Sequence, residues 1–370
     1  MSVLAIPPDF VYGNTRLRAR KAQLLAEATY DALLDRDIAG VQEALARTAY
    51  RHDLEAALAR AAGKLALQDA VRHHLARVLG EMRSFYRGRA RECIDVLLAR
   101  FDLHNMVTLL RGQVREQPAD LVLAAIVPLG PLGGAAAEEI ARRDEVASAV
   151  DLLISWRLPD RSTAATLANA WPRFERTQDL AQLEHELVIA HARGVEHQLV
   201  RAPEPLRELI ARERDATNVL TILRLRAALR LEELSELPST PDPQRFVPGG
   251  RIGEETLEAA LHMPAPPDTV AALAEAAHRP DWRPPLERYP STGDLPLLQR
   301  ELEVARVRWA LRLFLSGDPL GVDVPIAYTV ANENEARNLR LVADSAAGDA
   351  SAQAVRARLV LSDSGERWAA

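Results

Sequence analysis

Lysine is almost missing: Lys21 and Lys64 are the only two in 370 residues, and arginine carries nearly all the positive charge. Cysteine occurs once, at Cys93, so no disulfide can form within the chain and a reducing compartment is expected. Aromatic residues make up only 5%, and the β-branched and aromatic runs that build strands are few. There is no basic excess. A formal net charge of −6 removes the electrostatic argument for a nucleic-acid partner. Long apolar runs are missing too. The longest charge-free stretch, Leu121–Ala137, holds Pro128, Pro131 and three glycines, whereas a spanning helix needs roughly 20 consecutive apolar residues. Met1–Ile6 has no basic residue and meets Pro7-Pro8 at once, which does not match a signal peptide. The expectation is a soluble chain that could still dock on a membrane-bound partner.

Signatures of chemistry are equally scarce. His185-Glu186 followed by His191 resembles a zinc-protease helix, but that motif needs its second histidine at i+4 and here it stands at i+6, with His197 six further on. Successive imidazoles would diverge by about 240° round a helix, as would the adjacent His73 and His74 by less; these read as surface or packing residues. Gly130–Gly134 lacks the Gly-Lys-Ser/Thr ending that grips phosphate, and Lys64, which follows Gly63, is followed by Leu65. There is no Gly-x-Ser-x-Gly elbow. Cys93, beside Ile94 and Leu97, reads as a buried inert thiol. No catalytic residue, cofactor site or metal site is expected.

What the chain has in abundance is helix. Apolar residues recur at helical spacing from Leu17 through Leu24, Leu25, Ala28, Leu33 and Leu34. Val41–Arg47 forms another run. Lys64 to Arg111 contains no proline and suits one extended helix or two in line, with Gly112 as its stop. Leu121–Ile126 and Ala135–Ala149 read as short helices, and a longer one follows Pro172 to Val200, with Gly194 as a flaw. Pro203 and Pro205 open the next helix, where a missing amide hydrogen costs nothing. Twelve of the 23 prolines fall between Pro238 and Pro296; Ser239–Gly250 reads as an irregular surface segment and the remainder as short, proline-broken helices. Leu295–Leu315 and Val324–Ala346 close the chain as long helices. The fold class is all-α.

Within these helices one phrase is repeated. Asp102-x-x-Asn105-Met-Val-Thr-Leu-Leu-Arg111 returns as Asp215-x-x-Asn218-Val-Leu-Thr-Ile-Leu-Arg224, and more loosely as Glu335-x-x-Asn338-Leu-Arg340. Asn14, with Arg18 and Arg20 after it, is a fourth trace without the acid. The three asparagines are spaced by 113 and 120 residues, too far apart for short solenoid repeats and suited to lobes of several elements each. We divide the chain into helical lobes at 1–95, 96–205 and 206–370, the last including the proline-rich 238–296. Positions i, i+3 and i+7 share a helix face, so acid, amide and an aliphatic residue (Leu109, Ile222, Val342) line up as a polar node at a helix contact. Such nodes either fix helix register within a lobe or face a partner. Arg111 and Arg224 lie about 120° round from the amide and must reach a neighbouring helix or solvent.

The ordered set Tyr12-Gly13-Asn14-x-Arg16-x-Arg18, Thr48-x-Tyr50, Phe101-Asp102-x-x-Asn105, Asp318-Pro319-Leu320, Pro325-Ile326-Ala327-Tyr328 and Glu335-x-Arg337-Asn338-Leu339-Arg340 resembles the C-subunit family of the V/A-type ATPases, counterpart of the d subunit of the eukaryotic V-ATPase. The resemblance implies three similar helical lobes in a pseudo-threefold funnel. It implies a non-catalytic central-stalk rotor part, peripheral on the cytoplasmic side of the membrane, between the shaft subunits and the proteolipid ring. Torque for proton or sodium transport would pass through it, with ATP bound elsewhere. The alternative is a helical scaffold for another protein partner. Asn14, Arg18, Asp102, Asn105, Arg111, Asp215, Asn218, Arg224, Glu335, Asn338 and Arg340 are the candidate interface or lobe-packing residues.

Overall fold

The computed structural model describes residues 9–230 and 245–361, and every regular element among them is an α-helix. The chain divides into two compact units, one taking Met1–Pro159 with Ala310–Ala370 and the other Asp160–Trp309.

In chain order the first unit holds α1 (Val11–Lys21), α2 (Glu27–Leu34), α3 (Ile38–Leu45), α4 (Arg51–Leu58), α5 (Gly63–Ser84), α6 (Gly88–Val114), α7 (Ala119–Ala125), α8 (Gly134–Ala141) and α9 (Val146–Ser155). The second holds α10 (Arg161–Thr177), α11 (Leu180–Leu199), α12 (Glu204–Arg230), α13 (Glu254–Leu261), α14 (Pro266–Ala277), α15 (Arg283–Thr292) and most of α16 (Leu295–Ser316). The chain then rejoins the first unit for the end of α16, α17 (Asp323–Ala346) and α18 (Ala352–Arg356).

Local chemistry sets several helix starts. Asp37, Asp160 and Asp179 each accept the backbone N–H three residues on, at 2.8, 2.9 and 2.9 Å, satisfying a donor the first turn leaves without a partner. Helix α17 is apolar on almost every side from Val324 to Ala331 and is buried there; from Asn332 on it alternates polar and aliphatic residues and buries Asn332, Glu335 and Asn338 among them. It packs against α1, α2, α3 and α5. In the same unit α6 packs against α7, α8 and α9. In the second unit α12 packs against α13 and α14 round Ile222, Leu223, Leu257, Leu273 and Trp282.

Several boundaries differ from the sequence reading. The first apolar run is two helices, parted at residues 22–26. The Lys64–Arg111 stretch, expected as one helix or two, is two, α5 and α6, with Gly88 at φ +52° opening the second. Gly112 does not stop α6. It lies inside the helix where a β-carbon would fall 2.3 Å from Val122 Cγ2, so its smallness serves packing. Ala135–Ala149 is split between α8 and α9. Pro172 lies within α10 instead of opening a helix, and the break falls at Gln178, φ +56°. Helix α11 passes through Gly194 intact. Of the segment Ser239–Gly250, residues 239–244 lie outside the described residues. Arg245, Phe246 and Val247 are buried, not surface, because Asn218 on α12 holds the backbone of Val247.

Candidate functional site

Each repeated asparagine closes a two-point clamp on the backbone of a valine. Asn105 Nδ2 donates to Val127 O at 2.7 Å while Val127 N donates to Asn105 Oδ1 at 3.0 Å. Asn218 does the same with Val247, at 2.9 and 2.8 Å, and Asn338 with Val360, at 2.9 and 3.2 Å. All three amides are at most 1% exposed. A carboxamide carries a donor and an acceptor side by side, as a peptide unit does, so it pairs with a returning strand of backbone in place of a sheet neighbour. Burial then strengthens both bonds and penalises their loss.

The acid three positions earlier completes the grip. Asp102 Oδ1 accepts from Leu132 N at 3.1 Å. Asp215 accepts from Ile252 N at 3.1 Å and from Arg251 N at 2.9 Å. In both cases the amide seized is five residues beyond the clamped valine. Three beyond it stands a glycine, Gly130 or Gly250, where a β-carbon would lie 2.3 or 2.1 Å from the carboxylate. Eight residues past the asparagine a third group caps the next helix: Gln113 Nε2 donates to Ile140 O and Ala141 O, and Arg226 Nη1 to Leu261 O and Met263 O. Sequence reasoning missed these partners. The signal was present, since Val127-Pro-Leu-Gly-Pro-Leu132 and Val247-Pro-Gly-Gly-Arg-Ile252 repeat at a distance of 120 residues.

The third copy departs from this pattern because its acid is the longer Glu335. It accepts from Leu25 N at 2.6 Å and from Tyr50 Oη at 2.9 Å, tying α17 to the α1–α2 connection and the start of α4. Burial pushes the Glu335 carboxyl up to about 7, against the two hydrogen bonds that favour its charged form. Burial, with Glu335 alongside, drives the Tyr30 and Tyr50 hydroxyls well above their usual range. Tyr50 stacks on His74 at 3.8 Å, and His74 Nδ1 lies 2.8 Å from Asp53 Oδ2. Despite the opposing effect of burial, hydrogen bonds from His74 and Arg77 hold Asp53 well below the carboxylate norm.

Asn14, the fourth trace, is buried but clamps differently: Nδ2 donates to Pro319 O at 2.9 Å and Gly321 O at 2.8 Å, and Oδ1 accepts from Tyr86 Oη at 2.8 Å. Arg18, Arg111, Arg224 and Arg340 are all exposed; Arg224 Nη2 donates to Gln299 Oε1 at 3.2 Å. His191 faces Asp160 at 3.2 Å, and Glu186 is taken by Arg173 and Gln182. Among the described residues no three His, Cys, Asp or Glu side chains converge to hold a metal, and no helix is long and apolar enough to cross a membrane. Burial raises the Cys93 thiol above its normal range, the direction of an unreactive cysteine.

Residues 13–358 match the family model described as ATP synthase (C/AC39) subunit. Over 341 residues the chain is 30% identical to the C subunit of the V-type ATP synthase of Thermus thermophilus, covering 90% of this chain and 93% of that one. It is 26% identical to the C subunit of the V-type ATP synthase of Deinococcus radiodurans, covering 82% and 86%. With the C subunit of the A-type ATP synthase of Haloferax volcanii the identity is 24%, covering 96% and 97%. A match over nearly the whole length, in a chain whose buried polar residues are spent on holding helices together, has one reading: the protein belongs to the ATP synthase (C/AC39) subunit family.

Proposed function

We propose that this chain is a non-catalytic rotor subunit of the central stalk of a V/A-type ATP synthase, joining the shaft to the membrane proteolipid ring and passing torque between them. The observation that carries the proposal is the match to the family model across residues 13–358, together with the similarity to C-subunit relatives over 90% of the chain. In this reading the asparagine clamps hold the helical lobes together, and three lobes form a funnel on the cytoplasmic side of the membrane. ATP is handled by other subunits.

The physical construction supports the assignment. An adaptor under torsion needs helices that cannot slide past their returning loops, and a buried two-point amide clamp resists such sliding because a shifted register leaves both partners unpaired. Permanent interfaces of the kind the shaft and ring would make often bury roughly 2,000 Å² or more in total. We further assign the exposed Arg18, Arg111, Arg224 and Arg340 to such interfaces, with the buried Asn14, Asn105, Asp215, Asn218, Glu335 and Asn338 and the half-buried Asp102 holding the lobes.

Affinity purification of the tagged chain from gently solubilised membranes tests the proposal. Shaft subunits and proteolipid ring should co-purify in fixed ratio with it. Recovery of the soluble head without ring or shaft, or of neither, rejects the rotor role.

A further inference from the structure

The described residues of α1 carry four cations and no acid, and the next carboxylate along the chain is Glu27. This lies in a chain of net charge −6. Asn14 staples α1 between two other segments of the first unit: the α5–α6 corner through Tyr86, and the loop at 318–321 through Pro319 and Gly321. Gly13 makes the closeness possible, since a β-carbon there would lie 2.2 Å from the Tyr86 ring. The three segments therefore present one continuous face.

Its composition is unusual for solvent. Val11, Tyr12 and Leu320 are 52%, 60% and 59% exposed. The Arg16 guanidinium lies 5.0 Å from the Tyr12 ring centroid and 5.1 Å from that of Phe85, held between two aromatic faces. Arg16, Arg18 and Arg87 are exposed, and among the described residues none of them pairs with a carboxylate. The neighbouring Arg20 and Arg83 are paired, with Glu81 and Asp95. An arginine flattened against aromatic rings has lost much of its rotational freedom before binding and keeps its planar fork free for a carboxylate. Tyr and Arg packed beside aliphatic residues are also the residue types in which binding energy concentrates at protein interfaces.

We propose that this face, built by α1, the α5–α6 corner and the 318–321 loop, docks a segment of another protein chain that offers carboxylates beside apolar side chains. A membrane surface fits less well. Asp9 and Asp318 are exposed at the edges of the patch, and both would be driven into an anionic headgroup layer, whereas a protein rim accommodates them. The inference stands on charge and shape alone and holds whichever subunit supplies the segment.

The test places the photo-crosslinker benzoylphenylalanine at Tyr12 in the full chain, within the complex purified from membranes, and identifies the adduct by mass spectrometry. The expected adduct is a peptide of another chain containing Asp or Glu. Arg16→Glu with Arg18→Glu should cut its yield tenfold or more while leaving the melting temperature unchanged, because both side chains are exposed. Reversing the captured acid to Arg should restore the yield. An adduct on phospholipid, within this chain or on a second copy of it, or a yield indifferent to the charge reversals, overturns the proposal. Loss of shaft and ring from the purified complex would reject the rotor role without touching this result, so the two can fail separately.

Discussion

Asp215 and Arg279, 64 positions apart, form an ion pair at 2.7 Å in which neither side chain is more than 1% exposed. Arg279 also bonds Glu208 at 2.9 Å and lies 4.7 Å from the Trp282 ring centroid; Arg212 links Glu208 to Asp281. The acid that grips the loop after Val247 is thus itself held by a charge network that is buried at Arg279, Glu208 and Arg212 and reaches the surface at Asp281 and Arg251. Removing one partner strands the other in a medium that solvates it poorly. Arg279→Met should cost roughly 3–5 kcal/mol, read as a fall in the urea midpoint, and Arg279→Lys should recover only part of that because the two-pronged geometry is lost. A loss below about 1 kcal/mol for Arg279→Met would show that the network contributes little.

The clamps give a second expectation. Asn105→Ala or Asn218→Ala leaves a buried N–H and a buried carbonyl of the partner valine unsatisfied, at about 1–3 kcal/mol each. Asn→Asp at the same sites should be at least as damaging, since it sets an acceptor against the valine carbonyl. Chemical denaturation of the purified chain distinguishes this from a passive packing role, in which Asp would be the milder change.

Glu335 predicts a pH dependence of defined sign. Its carboxyl is raised to about 7 in the folded chain from a reference of 4.5. Between those values the folded state holds a proton that the unfolded state has released, so stability falls as pH rises through this window and levels off above it. The full span is on the order of 3 kcal/mol. Glu335→Gln should lose the slope between pH 5 and 7, while wild type keeps it. Parallel pH profiles of melting temperature for the two proteins would count against the assignment.

Glycine substitutions provide a contrast within one protein. A β-carbon at Gly250 or Gly130 collides with a carboxylate oxygen, and Gly130 additionally has φ +75°. At Gly80, inside α5, the nearest atom to that carbon is Leu129 Cδ1 at 3.8 Å, an ordinary contact. Gly80→Ala should therefore stabilise by about 0.5–1 kcal/mol, whereas Gly250→Ala and Gly130→Ala should destabilise by about 1–3 kcal/mol. Differential scanning calorimetry on the three variants decides it.

The helical class and the face shared by acid, amide and aliphatic residue were legible in sequence because both follow from a local period. Leu109, Ile222 and Val342 are buried as that period requires. The clamp partners were not, because they sit 22, 29 and 22 positions downstream in non-helical segments, where periodicity carries no information. The position of the break at residues 85–87, in a stretch that suited either one helix or two, and the break at Gln178 were equally obscure. There backbone geometry is set by tertiary packing, and Pro172, the loudest local breaker, is absorbed within α10. Reading turns for repetition as closely as helices would have exposed the Val-Pro-x-Gly-x-Leu/Ile phrase.

One consequence concerns insertions. Asn105 reaches Val127 over 22 residues and Asn218 reaches Val247 over 29, yet the paired bonds have the same geometry within a few tenths of an ångström. Chain length between an asparagine and its valine is therefore slack, while the point of return is pinned. Evolution, or an engineer, can lengthen that excursion to carry a label or a new recognition element without the anchorage beyond it losing its place.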